Sequence, residues 1–500
     1  MTVLLGLDIG TTSTIGILIN NRGETLGVAS RPTRLFSVQA NWAEEEPAQW
    51  WENVGEVCRE LLSKTSLPTD AVTGIGVTGM LPAVVLLDSQ GNAIRRSIQQ
   101  NDARAINELD QFAAGMAEAE FLARSGTGYS QQLVGPKLMW LRDHEPENYS
   151  RAHAVIGASD FITTKLTGTL QVEHNWALES GFVSLATGDY DENLISLSGI
   201  DRTLLQPIVK SENVVGQLLP TAAKHMGLRV GIPVVAGCAD HVASAFVCGA
   251  SNNGDMVIKF GGAADILLSS DKPVRDRRLF MDYHIVPGLY FPNGCMAAGG
   301  NLLNWIINNF GQAAVQKGRE AGLTPHQWLD IEAAKRGGSE LLFLPYILGE
   351  KTPLMDPYAK GTLIGLGLHH DLIDIWRAAL ESIAFGMRHH LDTFIDCGLA
   401  VNSVKATDGG SASDLWLQIA ANSLERPVQR INRHPGSCLG AAFVAGMGTG
   451  ALSDWSQIKS YVEHGKVFSP QPNEVGTYRK KYLLWRETYD RLKTIYPKLV

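Results

Sequence analysis

Two aspartates far apart in the chain are the residues best suited to chemistry. Asp8 lies in the apolar run 4–9, just before the turn Gly10-Thr11-Thr12-Ser13, and a second apolar run follows over 14–20. A carboxylate inside an apolar strand is costly unless something compensates it, and a hydrated divalent cation would. The turn offers free backbone N–H groups and three hydroxyls, donors suited to phosphate oxygens. The stretch reads either as a metal and phosphate site or as an ordinary hairpin with a cap-like acid, and on its own it does not decide between them. Asp240 follows the strand-and-turn run 231–239 and falls at or just before the first turn of a helix. The helix dipole favours a carboxylate there in its ionised form. An ionised carboxylate on a cleft wall accepts a proton from an attacking alcohol. Plain N-capping is the competing role, and one residue can fill both.

These residues need elements to hold them. The segment 4–20 predicts a β-hairpin, and 254–268 repeats its layout, with Gly10 aligned on Gly261. A hairpin recurring halfway along predicts two related α/β domains, 1–252 and 253–500, whose turns face each other across a cleft. Between the hairpins, strands are expected at 72–79, 83–88 and 234–236, a helix at 47–63, and a small-residue helix at 241–249. Residues 137–142 belong to another helix, and 154–166 hold a strand-to-helix transition. Helices dominate 300–338, 371–397 and 412–424, and a charged amphipathic helix is expected at 485–499.

At 500 residues the chain exceeds what one core serves. Its net charge of -8 argues against a general nucleic-acid binder. The six cysteines are scattered without a CxxC pair, which predicts reduced thiols and a cytoplasmic protein. No cleavable leader and no membrane span are expected. The pairs His369-His370 and His389-His390 lack a third ligand at metal spacing and read as surface or helix-end histidines.

Further motifs carry a resemblance. Leu344-Pro345-Tyr346-Ile347-Leu348-Gly349-Glu350-Lys351-Thr352-Pro353 and Asp356-Pro357-Tyr358-Ala359-Lys360-Gly361 resemble the "PY…GER-P…DP-ARG" stretch of the FGGY carbohydrate kinases. Gly361-Thr362-Leu363-Ile364-Gly365-Leu366, then seven residues, then Asp374-Ile375-Trp376-Arg377-Ala378-Ala379-Leu380-Glu381 is similar to that family's C-terminal signature in type and spacing. Lys137-Leu138-Met139-Trp140-Leu141 resembles the core of its N-terminal signature. The similarity runs from Leu4 to about Gly450, and within the family it is greatest to xylulose kinases.

The resemblance implies two ribonuclease-H-like domains of the actin, hexokinase and Hsp70 type with a hinged cleft. It implies transfer of the γ-phosphoryl group of ATP to a sugar or polyol hydroxyl, with Mg2+, and a homodimer. Carried over by residue, Asp8 looks like the acid that holds Mg2+ through water, and Asp240 like the general base. Gly10, Thr11, Thr12 and Ser13 look like the first phosphate loop, and Gly261 and Gly262 fall in the second. Gly409, Gly410 and Asp414, in the segment 407–416, resemble the adenosine site. The stretch 436–448 looks like a closing helix near the hinge. Met80, Asn101 and Asp102 fall in the sugar pocket, with Glu173-His174-Asn175 on a substrate-side loop.

Two departures qualify this. The second loop reads Gly261-Gly262-Ala263-Ala264 where the family has Gly-Thr-Ser-Gly, so it lacks hydroxyls; Lys259 or Asp265 could compensate. The sugar pocket has Met80-Leu81-Pro82-Ala83 where xylulose kinases show Gln-Met-His-Gly, and Gln100 replaces a Trp before Asn101-Asp102. Asp102 reads either as an acceptor for sugar hydroxyls or as a helix N-cap. Three functions stay open: a kinase of a ketopentose such as D-xylulose, a kinase of another sugar or polyol such as ribulose or a tetritol, and a weakened sugar or nucleotide sensor.

Overall fold

The computed structural model describes residues 2–434 and 436–499, and its frame is a pair of seven-stranded sheets. The first contains β1 (Val3–Ile9), β2 (Ser13–Asn20), β3 (Thr25–Pro32), β4 (Val72–Gly79), β5 (Val214–Gln217), β6 (Pro233–Val235) and β7 (Cys238–Ala239). Its order is β5-β6-β4-β1-β2-β3, with β7 also paired to β4. β1, β2 and β3 run antiparallel, whereas β4 is parallel to β1, and β6 and β7 are parallel to β4.

The second sheet contains β8 (Asp255–Phe260), β9 (Ala264–Leu268), β10 (Phe280–Tyr283), β11 (Tyr290–Met296), β12 (Ser403–Thr407), β13 (Val428–Ile431) and β14 (His464–Phe468). Its order is β10-β11-β9-β8-β12-β13-β14. Here β8, β9 and β11 run antiparallel and β12 and β13 follow in parallel. β1, β2 and β4 therefore correspond to β8, β9 and β12, the repeated ribonuclease-H-like plan expected.

Helices α1 (Pro47–Thr65), α2 (Val134–His144), α3 (His174–Glu179) and α4 (Asp240–Phe246) precede the second sheet. The others are α5 (Gly300–Phe310), α6 (Leu372–Asp396), α7 (Asp414–Leu424), α8 (Ser437–Gly448) and α9 (Pro472–Leu492). Leu4, Leu5, Leu7 and Ile9 of β1 are all buried, because both faces of the first sheet are covered. On one face α1 buries Trp50, Val54, Val57, Cys58 and Leu61, spaced to form one helical stripe. The other face is covered by α8, which comes from the far end of the chain.

Small residues let α8 approach that closely. A Cβ on Gly6 would overlap the carbonyl oxygen of Cys438, and one on Gly76 that of Ala441. On its other flank, a Cβ on Gly440 would lie 3.1 Å from the Ala243 carbonyl oxygen of α4. So α8 is wedged between the first sheet and the helix that begins with Asp240.

Two expectations are corrected. The last long helix begins at Pro472 and ends at Leu492, before a 3-10 turn over Tyr496–Leu499. Its first two turns carry Pro472, Asn473 and Gly476, residue types that read as loop in the sequence. His389 and His390 are buried inside α6, not at a surface or helix end. The His390 ring meets the Gly386 carbonyl at 2.8 Å and Thr352 Oγ1 at 2.8 Å, and burial pushes its pKa down to about 4. The six thiols are free, four of them buried. No helix among the described residues is long and apolar enough to cross a membrane.

Candidate active site

Asp8 is the penultimate residue of β1, and the β1–β2 turn closes with a 3.1 Å bond from Gly10 N–H to the Ser13 carbonyl. Ser437, at the start of α8, donates its hydroxyl to Asp8 Oδ2. Asp8 Oδ1 is buried without a hydrogen-bond partner among the described residues. Burial and the nearby Asp240 charge push the Asp8 pKa up to about 7, against the opposing pull of Ser437 and Lys259. An orphaned, buried carboxylate oxygen facing a cleft fits a divalent cation, held directly or through water.

Asp240 is the first residue of α4, and Ala239 holds the cap position. Its Oδ1 accepts the His241 backbone N–H at 2.6 Å. The side chain is 35% exposed, enough to meet a substrate. Asp8 and Asp240 line the same cleft cavity of about 1350 Å³.

Lys259 occupies in β8 the place that Asp8 occupies in β1, and it lines the same cavity. It lies 3.6 Å from Asp265, its cross-strand partner on β9. Burial works against its charge, but Asp265, Asp408 and Asp240 outweigh that and push its pKa up. The Gly261-Gly262 turn is seated on the start of α5. Gly300 N–H donates to the Gly261 carbonyl at 2.8 Å, and the N–H groups of Gly299 and Asn301 donate to the Gly262 carbonyl at 2.8 and 2.9 Å. Those helix-end donors are therefore committed to the loop.

The segment after β12 is only partly as expected. Gly409 has open space where a Cβ would stand, so a ligand can approach its backbone. Gly410 faces inward, where a Cβ would lie 2.9 Å from the Phe260 carbonyl oxygen. Its glycine is explained by packing. Asp414 does not line the cavity; it pairs with Arg430 at 2.5 Å and Lys466 at 2.9 Å. Asp408 does line it, with φ of 69°, a left-handed conformation that a non-glycine residue adopts at some strain.

On the sugar side Gln100 and Asn101 line the cavity and Asp102 does not. Asp102 is neither a helix cap nor open to a ligand. Its carboxylate takes Arg104 at 2.7 and 2.9 Å and the Ala43 N–H at 2.6 Å, and its side chain is fully buried. The next helix starts only at Ile106. Arg104 in turn lies over the rings of Trp42 and Trp140. Met80 is also buried, and its sulfur faces the Thr11 hydroxyl at 3.5 Å. Lys137 of α2 supports the wall from beneath, donating to the Gln99 carbonyl at 2.9 Å; burial pushes its pKa down to about 7. Asn175, expected on a substrate loop, instead exchanges hydrogen bonds with the backbone of Tyr283 at 2.7 and 3.0 Å.

Four cavity residues had no signal in the sequence, Glu179, Asp282, Asn293 and His434, whereas Asp408 and Ser437 lie in the segments 407–416 and 436–448 without having been singled out there. Glu179, His241 and Asp282 place polar atoms within 4.8 Å of one another. Burial and Asp282 push the Glu179 pKa well up.

Two sheets of one topology, meeting at a charged cleft that carries paired acids from the first lobe and a lysine from the second, define a two-lobed phosphotransferase. The N-terminal domain model of the FGGY family of carbohydrate kinases matches residues 3–247, and the C-terminal domain model matches 256–449. The chain belongs to the FGGY family of carbohydrate kinases. It is similar to the crystal structure of xylulose kinase from Rhodospirillum rubrum, with a TM-score of 0.93 and 43% identity over 99% of both chains. It is 26% identical to the xylulose kinase of Bacillus subtilis, over 99% of this chain and 98% of that protein. It is also 26% identical to a gluconokinase of Bacillus licheniformis, over 95% and 93%.

Proposed function

We propose that this sugar kinase transfers the γ-phosphoryl group of ATP to a hydroxyl of a ketopentose such as D-xylulose. The observation that carries the reading is the convergence of Asp8 and Asp240 on one cavity. Asp240 accepts the hydroxyl proton as the new P–O bond forms. Asp8, with Ser437 on its other oxygen, holds Mg2+, which when bound offsets phosphate charge. The turns that follow Asp8 and Lys259, namely Gly10, Thr11, Thr12 and Ser13 and the backbone of Gly261 and Gly262, would supply donors to the phosphates; the turns themselves do not line the cavity, whereas Lys259 does and adds a cation where loop hydroxyls are missing. Gly409 gives the nucleotide a backbone face. Asn101 and Gln100 face the sugar. Around Asp240 the carboxyl groups of Asp282 and Glu179 stand beside His241, acidic surroundings that favour a neutral sugar over a sugar acid. The names of the relatives support the same order, xylulose ahead of gluconate.

The test is coupled ADP release over D-xylulose, D-ribulose, tetritols and gluconate. Turnover with D-xylulose is expected, and Asp240→Ala should abolish it while sugar binding stays measurable. Full activity in that variant would show that Asp240 is not the base. The hydroxyl-free Gly261-Gly262-Ala263-Ala264 loop favours one second reading, a sugar sensor, for which the wild type would bind sugar and nucleotide without turnover.

A further inference from the structure

We propose that His241 and Asp282 form a clamp across the two lobes that positions the Asp240 carboxylate, an inference that rests on the reading of Asp240 as the base. His241 belongs to α4 on the first lobe, and Asp282 to β10 at the edge of the second sheet. His241 Nε2 meets Asp282 Oδ2 at 2.9 Å, and Nδ1 lies 3.5 Å from Asp240 Oδ1. The His241 backbone N–H donates to that same Oδ1 at 2.6 Å. Both contacts on Asp240 thus fall on one oxygen, and the other is left for the substrate hydroxyl.

The clamp is itself supported from two elements, β11 and α3. Asn293 of β11 donates to Asp282 Oδ2 at 2.7 Å. Glu179 of α3 lies against the other side of Asp282. Asp282 Oδ1 and Glu179 Oε1 are both buried without a hydrogen-bond partner among the described residues. Ligand atoms of the two carboxyls and of His241 lie within 4.8 Å of one another, and burial together with the Asp282 charge favours the protonated form of Glu179. Last, α3 is tied to β10 by the paired bonds between Asn175 and Tyr283.

The electrostatics agree with this geometry. Burial alone would strip the proton from His241, but Asp282, Asp240 and Glu179 outweigh it and push its pKa well up. An imidazolium donates from both nitrogens, so it holds one carboxylate on each lobe. His241 is a positioning residue here. The consequence is that the base on the first lobe is oriented only while β10 of the second sheet lies against it.

The experiment compares wild type, Asp282→Asn, His241→Gln and Asp282→Glu as full chains. It measures steady-state kinetics and the pH titration of the His241 imidazole by NMR. Asp282→Asn and His241→Gln should each lower kcat about 10- to 100-fold, with KM for ATP within about twofold, because a base displaced by about an ångström loses that much. Asp282→Glu should recover part of kcat. The wild-type imidazole should stay charged well above its ordinary range, and Asp282→Asn should bring it down. An unchanged kcat, or a loss confined to KM for sugar, would overturn the clamp. If these variants fail to fold, Asn293→Ala removes the bond that orients Asp282 and should lower both kcat and the pH at which the imidazole loses its proton; both unchanged there would also overturn the clamp. If the wild type turns over no sugar, the reading of Asp240 falls, and the NMR titration still decides the clamp.

Discussion

Gly6→Ala should damage both the fold and the metal-side acid, although Gly6 touches no substrate. The new Cβ would overlap the Cys438 carbonyl oxygen and sit 2.8 Å from the Ala442 nitrogen and 2.9 Å from the Cys438 carbonyl carbon. All three are helix backbone atoms, so no side-chain rotation relieves the clash. Restoring ordinary contact needs a shift of about 1.5 Å between β1 and α8. The helix has nowhere to go, since its opposite flank meets Ala243 of α4 at Gly440. Overpacking of this kind destabilises by about 1–3 kcal/mol, and the backbone contacts put it at the upper end. The thermal midpoint should fall by roughly 5–10 °C for a lobe of this size. Ser437 moves with the helix start and leaves Asp8, so the Mg2+-dependent rate should fall about 100-fold. The control is Gly74→Ala, where a Cβ would meet Thr449 Cγ2 at 3.1 Å and Leu4 Cδ2 at 3.2 Å, both movable side-chain atoms. Thermal melts and a magnesium titration of the rate check both variants. A Gly6→Ala protein as stable and as active as Gly74→Ala would refute the seating of α8 on β1.

Asp102→Asn should leave the buried Arg104 guanidinium with Glu44 as its one remaining carboxylate and destabilise the protein by about 1–3 kcal/mol in urea unfolding. An unchanged midpoint with a raised sugar KM would instead return Asp102 to direct sugar contact. Lys137 has a pKa pushed down to about 7 in the fold from an ordinary 10.5. Between those values the unfolded chain binds a proton that the fold does not, so wild-type stability rises with pH across that window. Lys137→Met removes the dependence, and its stability relative to wild type should be better at pH 7 than at pH 10. An equal difference at both pH values would count against the buried amine.

What the residues reveal in order along the chain is the part governed by local patterning. The β1–β2 hairpin, its repeat at β8–β9 and the acid beside each turn or helix start were legible because each is set within a few positions. Asp8 and Asp240 stood out as single charges in apolar surroundings. The errors arise where a distant partner decides a residue's role. Asp102 looks like a cap or a ligand until Arg104 folds back on it over the rings of Trp42 and Trp140. Asp414 looks like an adenine contact until β13 and β14 bring Arg430 and Lys466 to it. His389 and His390 look exposed by residue type, yet α6 runs through the core and hands His390 a threonine from another segment. The same rule explains what was invisible. Ser437 reaches Asp8 from 429 positions away, and Asp282 reaches His241 from the opposite lobe. Such contacts leave no period and no spacing. They follow only from the duplication, because two sheets built alike must set the ends of β1 and β8 face to face. That symmetry puts an acid and a lysine at matching places on opposite walls, Asp8 and Lys259, so one wall suits a cation and the other the phosphates that come with it.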